Sequence, residues 1–210
     1  MKLISGGVCA AQGFTAGGVH CGVRKNRTKK DLAMILSATP ASAAAVYTTN
    51  LVKGAPLTVT KAHIADGKAQ AVLCNSGNAN TCNANGIEIA EKMCDLAANA
   101  LGISANDIVV ASTGVIGQPL SLEPFETGIP PLVKSLTADE NGSDAAAEGI
   151  MTTDTVKKEI AVEFTVGGKT CRIGGIAKGS GMIHPNMATM LVFITSDVAI
   201  APAMLQKALS

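Results

Sequence analysis

Thr189 stands at a junction where a hydroxyl could act as a nucleophile. Residues 178–188, just before it, include two glycines, a proline and an asparagine, which are typical of a loop. Four apolar residues at positions 191–194 follow almost at once and indicate a buried strand. A hydroxyl at such a junction is held from one side and open to approach from the other.

A nucleophilic threonine needs a base, and the sequence offers few of the usual ones. The three histidines, His20, His63 and His184, have neither a paired nor an HExxH spacing, so they predict neither a catalytic triad nor a metal site. No pair of carboxylates suited to acid–base catalysis is evident. Asp154, Glu159 and Glu163 lie on or near predicted strands, where we expect them to face solvent.

Cleavage of the chain before Thr189 would supply a base without any histidine. The new α-amine would have an ordinary pKa near 8, which suits a general base at neutral pH. It would also remain beside the hydroxyl that it activates. The small Ala188, the preceding loop and the following strand are what such a cut requires, although junctions of this kind are common in proteins.

Two further segments carry polar groups that could serve a site. The predicted strand 107–112 runs into Thr113 and Gly114, so it would expose a hydroxyl and a backbone N–H at the edge of a sheet. Residues 75–86 contain five asparagines, which favour turns because asparagine tolerates left-handed backbone and bonds its own main chain. This segment is either a turn-rich loop before a helix, or a polar wall of a small-molecule site, or both.

Periodicity and turn residues predict a mixture of strands and helices, of the α/β or α+β class. Strands are predicted at 31–37, 43–49, 70–74, 107–112, 158–166, 169–176 and from 189 to about 200, with a two-residue hairpin turn at Gly167-Gly168. Helices are predicted at 56–64, at 87–101, at 122–136 in two pieces around a Pro-Pro pair, at 144–151 with Ser143 or Asp144 as cap, and from 202.

Composition limits the function classes. Net charge is +1, which gives no support for nucleic-acid binding, and the basic run at 24–30 is interpreted as a solvated loop rather than a phosphate site. Six cysteines form no CxxC pair, and neither a signal peptide nor a membrane-length apolar run is seen. We therefore expect a cytoplasmic protein with no membrane contact. Charged residues are only 16%, which suggests that another chain covers part of the surface.

Five separated motifs, in order along the whole chain, resemble the ornithine acetyltransferase family, also called ArgJ. The matching segments are 13–17 (GFTAG), 75–80 (NSGNAN), 112–117 (STGVIG), 151–155 (MTTDT) and 175–191 (GIAKGSGMIHPNMATML). The resemblance implies a self-cleaving fold with β-sheets packed between helices. It also implies a cut between Ala188 and Thr189, which would divide the chain into residues 1–188 and the start of a second segment at 189–210.

The resemblance also implies an activity and roles for named residues. Thr189 would carry an acetyl group from N-acetylornithine to glutamate, with Thr113 and Gly114 as the oxyanion hole. Thr152 and Lys178, together with Thr189, would bind substrate, and the sequence leaves open whether Thr152 or Thr153 makes the contact.

Family proteins continue for a second segment of similar size, and their two chains form an α2β2 heterotetramer. No metal or cofactor is implied, although some members accept acetyl-CoA as donor. Two alternatives stay open at this point. One is a related N-terminal-nucleophile aminopeptidase or amidohydrolase, and the other is a non-catalytic half that needs a second chain.

Overall fold

The computed structural model describes residues 1–181 and 190–210. Within these residues the chain forms eight strands and five α-helices. The strands are β1 (Lys2–Ile4), β2 (Phe14–Val19), β3 (Leu32–Ser42), β4 (Lys68–Asn75), β5 (Ile108–Ser112), β6 (Lys158–Val166), β7 (Lys169–Lys178) and β8 (Leu191–Ser196). The helices are α1 (Ala55–His63), α2 (Gly86–Leu101), α3 (Glu123–Lys134), α4 (Glu140–Ile150) and α5 (Pro202–Leu209).

The strands form two four-stranded sheets, with the orders β1-β6-β7-β8 and β2-β3-β4-β5. Every neighbouring pair is antiparallel except β4 and β5, which run parallel. The β6–β7 hairpin turns at Gly167-Gly168, as predicted, and both glycines have the positive φ that a two-residue hairpin turn favours. The mixed class predicted from the sequence is therefore confirmed.

The β2–β5 sheet is buried on both faces. On one face, alternate residues such as Leu32, Leu73 and Ile108 pack against α1, α2 and α3. On the other face, residues such as Ile35 and Cys74 pack against α4 and the inner side of β7. This double burial explains why the central strands are continuous apolar runs rather than alternating ones. Residues of the second sheet, such as Ile176, thus pack on this face together with α4.

The sequence predicted α1, α2, β4, β5 and the β6–β7 hairpin to within about two residues, but it misjudged α3. Pro130 and Pro131 lie inside one continuous helix rather than dividing two. Burial of Phe125, Ile129 and Leu132 against the sheet accounts for this, because packing outweighs the helix cost of proline near the C-terminal end.

The start of α4 was also predicted wrongly. The helix begins at Glu140, and the Asp139 side chain caps it by accepting a hydrogen bond from the Gly142 N–H at 3.2 Å. Ser143 lies inside the helix, where its hydroxyl accepts from the Val8 N–H and donates to the Glu159 carboxylate. Ser143 therefore makes a long-range contact and does not cap α4.

Two strand predictions need correction. Residues 43–49 form no strand, because β3 extends to Ser42 and the chain then leaves the sheet without a neighbouring strand to pair with. The strand β8 ends at Ser196, earlier than predicted, where the Ser196 hydroxyl bonds the Val198 N–H and turns the chain. No helix in the described part of the chain is both long and apolar enough to cross a bilayer.

Candidate functional site

The ends of the parallel strands β4 and β5 lie side by side and form one wall of the site. Asn75 pairs with Ser112, and the Asn75 side-chain amide donates to the Ser112 hydroxyl at 2.7 Å. The Thr113 N–H continues this pairing by donating to the Asn75 carbonyl at 2.9 Å. The loop after β4 therefore fixes the position of the turn after β5.

Several side chains of the asparagine-rich loop bind the loop's own backbone. The Asn75 carboxamide oxygen accepts from the N–H groups of Gly77 and Asn78, at 3.2 and 3.0 Å. Asn80 has a positive φ of 47° and donates to the Gly86 carbonyl at the start of α2. The turn-forming interpretation of residues 75–86 is confirmed, and the loop serves the site chiefly by supporting Thr113 and Gly114.

Gly114 has backbone geometry that only glycine tolerates here. Its φ is 129°, and a Cβ at this position would lie 2.5 Å from the Gly77 carbonyl carbon and 2.6 Å from its oxygen. The Gly114 N–H has no acceptor among the described residues. A free backbone donor beside a buried threonine hydroxyl is what an oxyanion hole requires.

Lys178 contacts two of the other residues selected from the sequence. It is the last residue of β7, it is only 3% exposed, and its side chain faces the space between the sheets. Its ammonium donates to the Thr152 hydroxyl at 2.6 Å and to the Thr113 hydroxyl at 3.3 Å. Because the Thr113 oxygen accepts from Lys178, its own proton is free to be donated elsewhere, toward a developing negative charge.

The structure also distinguishes the contacts of Thr152 from those of Thr153. The Thr152 hydroxyl contacts Lys178, whereas the exposed Thr153 hydroxyl is paired with the Ser180 hydroxyl at 2.9 Å. Within the described residues, Thr152 is thus the threonine of this segment that contacts the cluster.

Asp154 belongs to the same cluster, and the sequence prediction of a solvent-facing carboxylate was wrong. Its side chain is fully buried. The carboxylate accepts hydrogen bonds from the Gly179 N–H at 2.8 Å, the Thr152 N–H at 3.3 Å and the Lys158 ammonium at 2.6 Å. Asp154 precedes β6, which begins only at Lys158, so the alternation of buried and exposed residues along a strand does not apply to it.

The charges of the cluster are strongly perturbed. Burial alone would raise the pKa of the Asp154 carboxyl, but its hydrogen bonds from Lys158, Gly179 and Thr152 outweigh burial and lower the pKa to about 2. Burial lowers the pKa of the Lys178 ammonium from its ordinary value, and the Asp154 charge opposes that effect. Burial also raises the pKa of the neighbouring Cys74 thiol to about 12, so Cys74 stays protonated and is not a nucleophile.

Replacing Asp154 with Asn is expected to destabilise the fold by about 2 kcal/mol at pH 7, because a carboxyl whose pKa falls to about 2 stabilises the folded state. A lowered pKa adds stability above the ordinary carboxyl pKa. That stability should disappear as the pH falls from about 4 toward 2. Urea unfolding of both proteins across this range measures the difference. A difference that stayed constant with pH would contradict the assignment.

The structure changes the interpretation of the basic run at 24–30, and it also gives His63 a structural role. Arg24 is not simply solvated, since its guanidinium donates to the Ser76 carbonyl at 2.6 Å and to the Met151 carbonyl, next to Thr152. His63 is not a surface residue, since its ring contacts the Ile108 carbonyl at 2.9 Å and Glu91 at 3.2 Å. The Arg24 side chain therefore connects the loop after β4 to the segment that carries Thr152. The His63 ring connects α1 to β5 and α2.

Ala188 and Thr189 lie outside the described residues, as does His184. The strand that follows them is described. Leu191, two residues after Thr189 in the sequence, pairs with Lys178 across β7 and β8. No group of three or more potential metal ligands is found among residues 1–181 and 190–210.

Comparison with known proteins identifies close relatives. The ArgJ family model matches residues 15–210. The arginine biosynthesis bifunctional protein ArgJ of Gloeobacter violaceus is 53% identical over 199 residues, which are 94% of this chain and 48% of that protein. The protein of the same name from Symbiobacterium thermophilum is 50% identical over 211 residues, covering 100% of this chain and 52% of its own length. The chain spans about half the length of these curated relatives.

Solved structures agree with this relationship. The arginine biosynthesis bifunctional protein ArgJ of Bacillus halodurans is 44% identical with a TM-score of 0.83, covering 90% of this chain and 98% of that chain. Ornithine acetyltransferase of Mycobacterium tuberculosis, solved with ornithine, is 34% identical with a TM-score of 0.82, covering 90% and 99%. An aminopeptidase of Ochrobactrum anthropi, described as a variant of the Ntn hydrolase fold, is 14% identical with a TM-score of 0.54, which shows a shared fold alone.

Proposed function

This chain belongs to the ArgJ family, and from that premise we propose that it is the N-terminal part of an acetyltransferase of arginine biosynthesis. The proposed reaction moves an acetyl group from N-acetylornithine to glutamate through Thr189. The names of the curated relatives and the ornithine complex of the mycobacterial relative support this substrate class.

The observation that carries the proposal is the contact of Lys178 with the hydroxyls of both Thr113 and Thr152. These groups come from three separate segments, and Gly114 directly follows Thr113 in the sequence. Since β8 begins by pairing with Lys178, the chain that carries Thr189 runs into a strand adjoining the cluster. A nucleophile delivered there would have two oxyanion donors beside it.

The proposed maturation is a self-cleavage. The Thr189 hydroxyl adds to the Ala188 carbonyl carbon, the peptide C–N bond breaks, and an ester links Ala188 to the Thr189 oxygen. Water then hydrolyses the ester and leaves a carboxylate at Ala188 and a free α-amine at Thr189. Support comes from chain lengths, since the matched chains of the two solved relatives are close to this one in length, while the curated sequences are about twice as long.

In the proposed transfer cycle the α-amine of Thr189 takes the proton from its own hydroxyl. The oxygen adds to the acetyl carbonyl of N-acetylornithine, and the Thr113 hydroxyl and Gly114 N–H stabilise the oxyanion. The C–N bond then breaks, and the ornithine amine leaves with the proton. Glutamate's amine attacks the acetyl-Thr ester and restores the enzyme. Lys178 and Thr152 bind the substrate in this scheme, and no cofactor is needed.

Further partners are part of the same proposal. A second chain would complete the enzyme, as an α2β2 heterotetramer in the cytoplasm, and acetyl-CoA would serve as an additional donor. The outer face of the β1-β6-β7-β8 sheet supports a covering partner, because it exposes large apolar side chains. These are Leu3, Ile160, Val192 and Ile194, each 46–70% exposed.

The test is an assay of the full-length protein, including the second half that the curated relatives carry. We expect acetyl transfer from N-acetylornithine to glutamate. Release of free acetate or cleavage of a peptide amide, with no acetylglutamate, would favour the hydrolase alternative instead. Activity of the N-terminal part only after addition of a separate second chain would favour the half-enzyme alternative.

Replacing Thr113 with Val in the full-length protein is expected to lower kcat about 100-fold, because one oxyanion donor is lost while the shape is kept. Thr113→Ser retains the hydroxyl and should stay within about tenfold of wild type. Steady-state rates of both variants check this. Equal kcat values for Thr113→Val and wild type would remove Thr113 from the oxyanion hole.

A further inference from the structure

One carboxylate in the cluster has no assigned role in the reaction just described. Asp154 lies in the segment between α4 and β6, and its side chain is fully buried. One carboxylate oxygen accepts from the Gly179 N–H and the Lys158 ammonium, and the other accepts from the Thr152 N–H. Its backbone partners are thus one of the site residues, Thr152, and the neighbour of another, Lys178.

We propose that Asp154 is a positioning residue, whose carboxylate ties the Thr152 segment to the turn after β7 and so holds the Thr152 hydroxyl against the Lys178 ammonium. This inference rests on the proposed acetyl transfer. The two tethered segments are 25 residues apart, and the Gly179 bond, at 2.8 Å, joins them directly. The contact between Lys178 and Thr152 depends on that spacing.

A carboxylate suits this position better than an amide of the same shape. All three groups that face Asp154 are donors, namely two backbone N–H groups and an ammonium. A carboxylate only accepts, so it satisfies all three, whereas an amide would point its own NH₂ at one of them. Asn at position 154 would therefore release at least one of the two segments.

The charge of Asp154 matters as well as its geometry. The charged or titratable groups that act on Lys178 are Asp154, the Cys74 thiol, Arg24 and Lys158. Arg24 and Lys158 are cations, and Cys74 is neutral because burial raises its pKa to about 12. Asp154 is thus the anion that offsets a cluster of three positive charges, and its removal would make the protonated form of Lys178 harder to maintain.

These two effects predict a particular kinetic signature. Loosening Thr152 and Lys178 should weaken substrate binding, and it should also disturb the Thr113 hydroxyl, which Lys178 contacts, so both KM and kcat should change. Easier deprotonation of Lys178 should move the basic limb of the pH profile of kcat to lower pH. A purely structural residue would lower stability without moving that limb.

The experiment compares Asp154→Asn with Asp197→Asn in the full-length protein. Asp197 is a matched control because it also accepts two backbone N–H bonds, from Arg172 at 2.7 Å and Gln12 at 3.1 Å, but near the opposite end of β7. For Asp154→Asn we expect kcat to fall about 10- to 100-fold, KM to rise, and the basic limb to shift to lower pH. Asp197→Asn should keep the wild-type kcat and profile.

Wild-type kcat and pH profile in folded Asp154→Asn would overturn the proposal. A second measurement needs no substitution, because hydrogen exchange of the wild-type full-length protein reports on the tether directly. The Gly179 amide should be protected, and exchange at the rate of an unstructured peptide would overturn the proposal even if Asp154→Asn fails to fold. If wild-type full-length protein transfers no acetyl group, the proposed function fails, while the exchange result still decides the tether.

Discussion

Full-length protein carrying Thr189→Ala is expected to remain a single chain and to transfer no acetyl group. Alanine lacks the hydroxyl that would attack the Ala188 carbonyl, and without the cut no α-amine is released to act as base. The loss of transfer should be roughly 10⁴-fold or more, as when a covalent nucleophile is removed. Intact-mass spectrometry measures the cut, and an acetylglutamate assay measures the transfer.

Two controls accompany that variant. Thr189→Ser keeps a hydroxyl and should still cut, though more slowly, while Thr170→Ala removes an exposed threonine of β7 and should cut like wild type. A Thr189→Ala protein that still yields a chain beginning at residue 189 would show that another group performs the cleavage. Acetyl transfer by the uncut variant would show that Thr189 is not the acceptor.

Gly114→Ala is expected to lower kcat by about 100-fold or more and to destabilise the fold. The added Cβ would lie 2.5 Å from the Gly77 carbonyl carbon, so the turn after β5 must move and take the Gly114 N–H with it. The φ of 129° is also strained for any residue with a side chain. Steady-state kinetics and a thermal melt measure the two effects.

Gly117→Ala is the matched control in the same turn. Gly117 also has a positive φ, of 73°, but a Cβ there would meet nothing within 4 Å. It should cost about 1 kcal/mol of stability from backbone strain and leave kcat near wild type. Similar kcat losses in the two variants would mean that the reaction depends on the conformation of the whole turn rather than on the Gly114 N–H.

The elements that could be predicted from the sequence are those whose signals are local. The α2 helix follows from its apolar spacing, and the β6–β7 hairpin follows from its Gly-Gly turn. Where prediction failed, a distant partner had decided the outcome. Ser143 was one of two residues predicted as the possible cap of α4, but its hydroxyl accepts a hydrogen bond from the Val8 N–H, and Val8 lies 135 residues away in the sequence. The helical Pro-Pro pair of α3 is likewise stabilised by packing that no local pattern reveals.

The residues of the candidate site likewise include some that local signals predict and one whose position depends on a distant segment. Thr113 and Gly114 could be found because a strand ending in a small polar turn exposes a hydroxyl and an N–H. Asp154 could not, because its burial depends on the Gly179 turn, which arrives 25 residues later. The available signal was its position in the polar segment between α4 and β6, where strand alternation does not apply.

The most direct test of acetyl transfer through Thr189 is to incubate full-length protein with N-acetylornithine in the absence of glutamate, and to quench and digest it for peptide mass spectrometry. We expect that the peptide beginning at Thr189 gains one acetyl group as an ester, which hydroxylamine or added glutamate removes. Formation of acetylglutamate when glutamate is supplied, with no acetyl group found on that peptide when glutamate is withheld, would contradict acetyl transfer through Thr189.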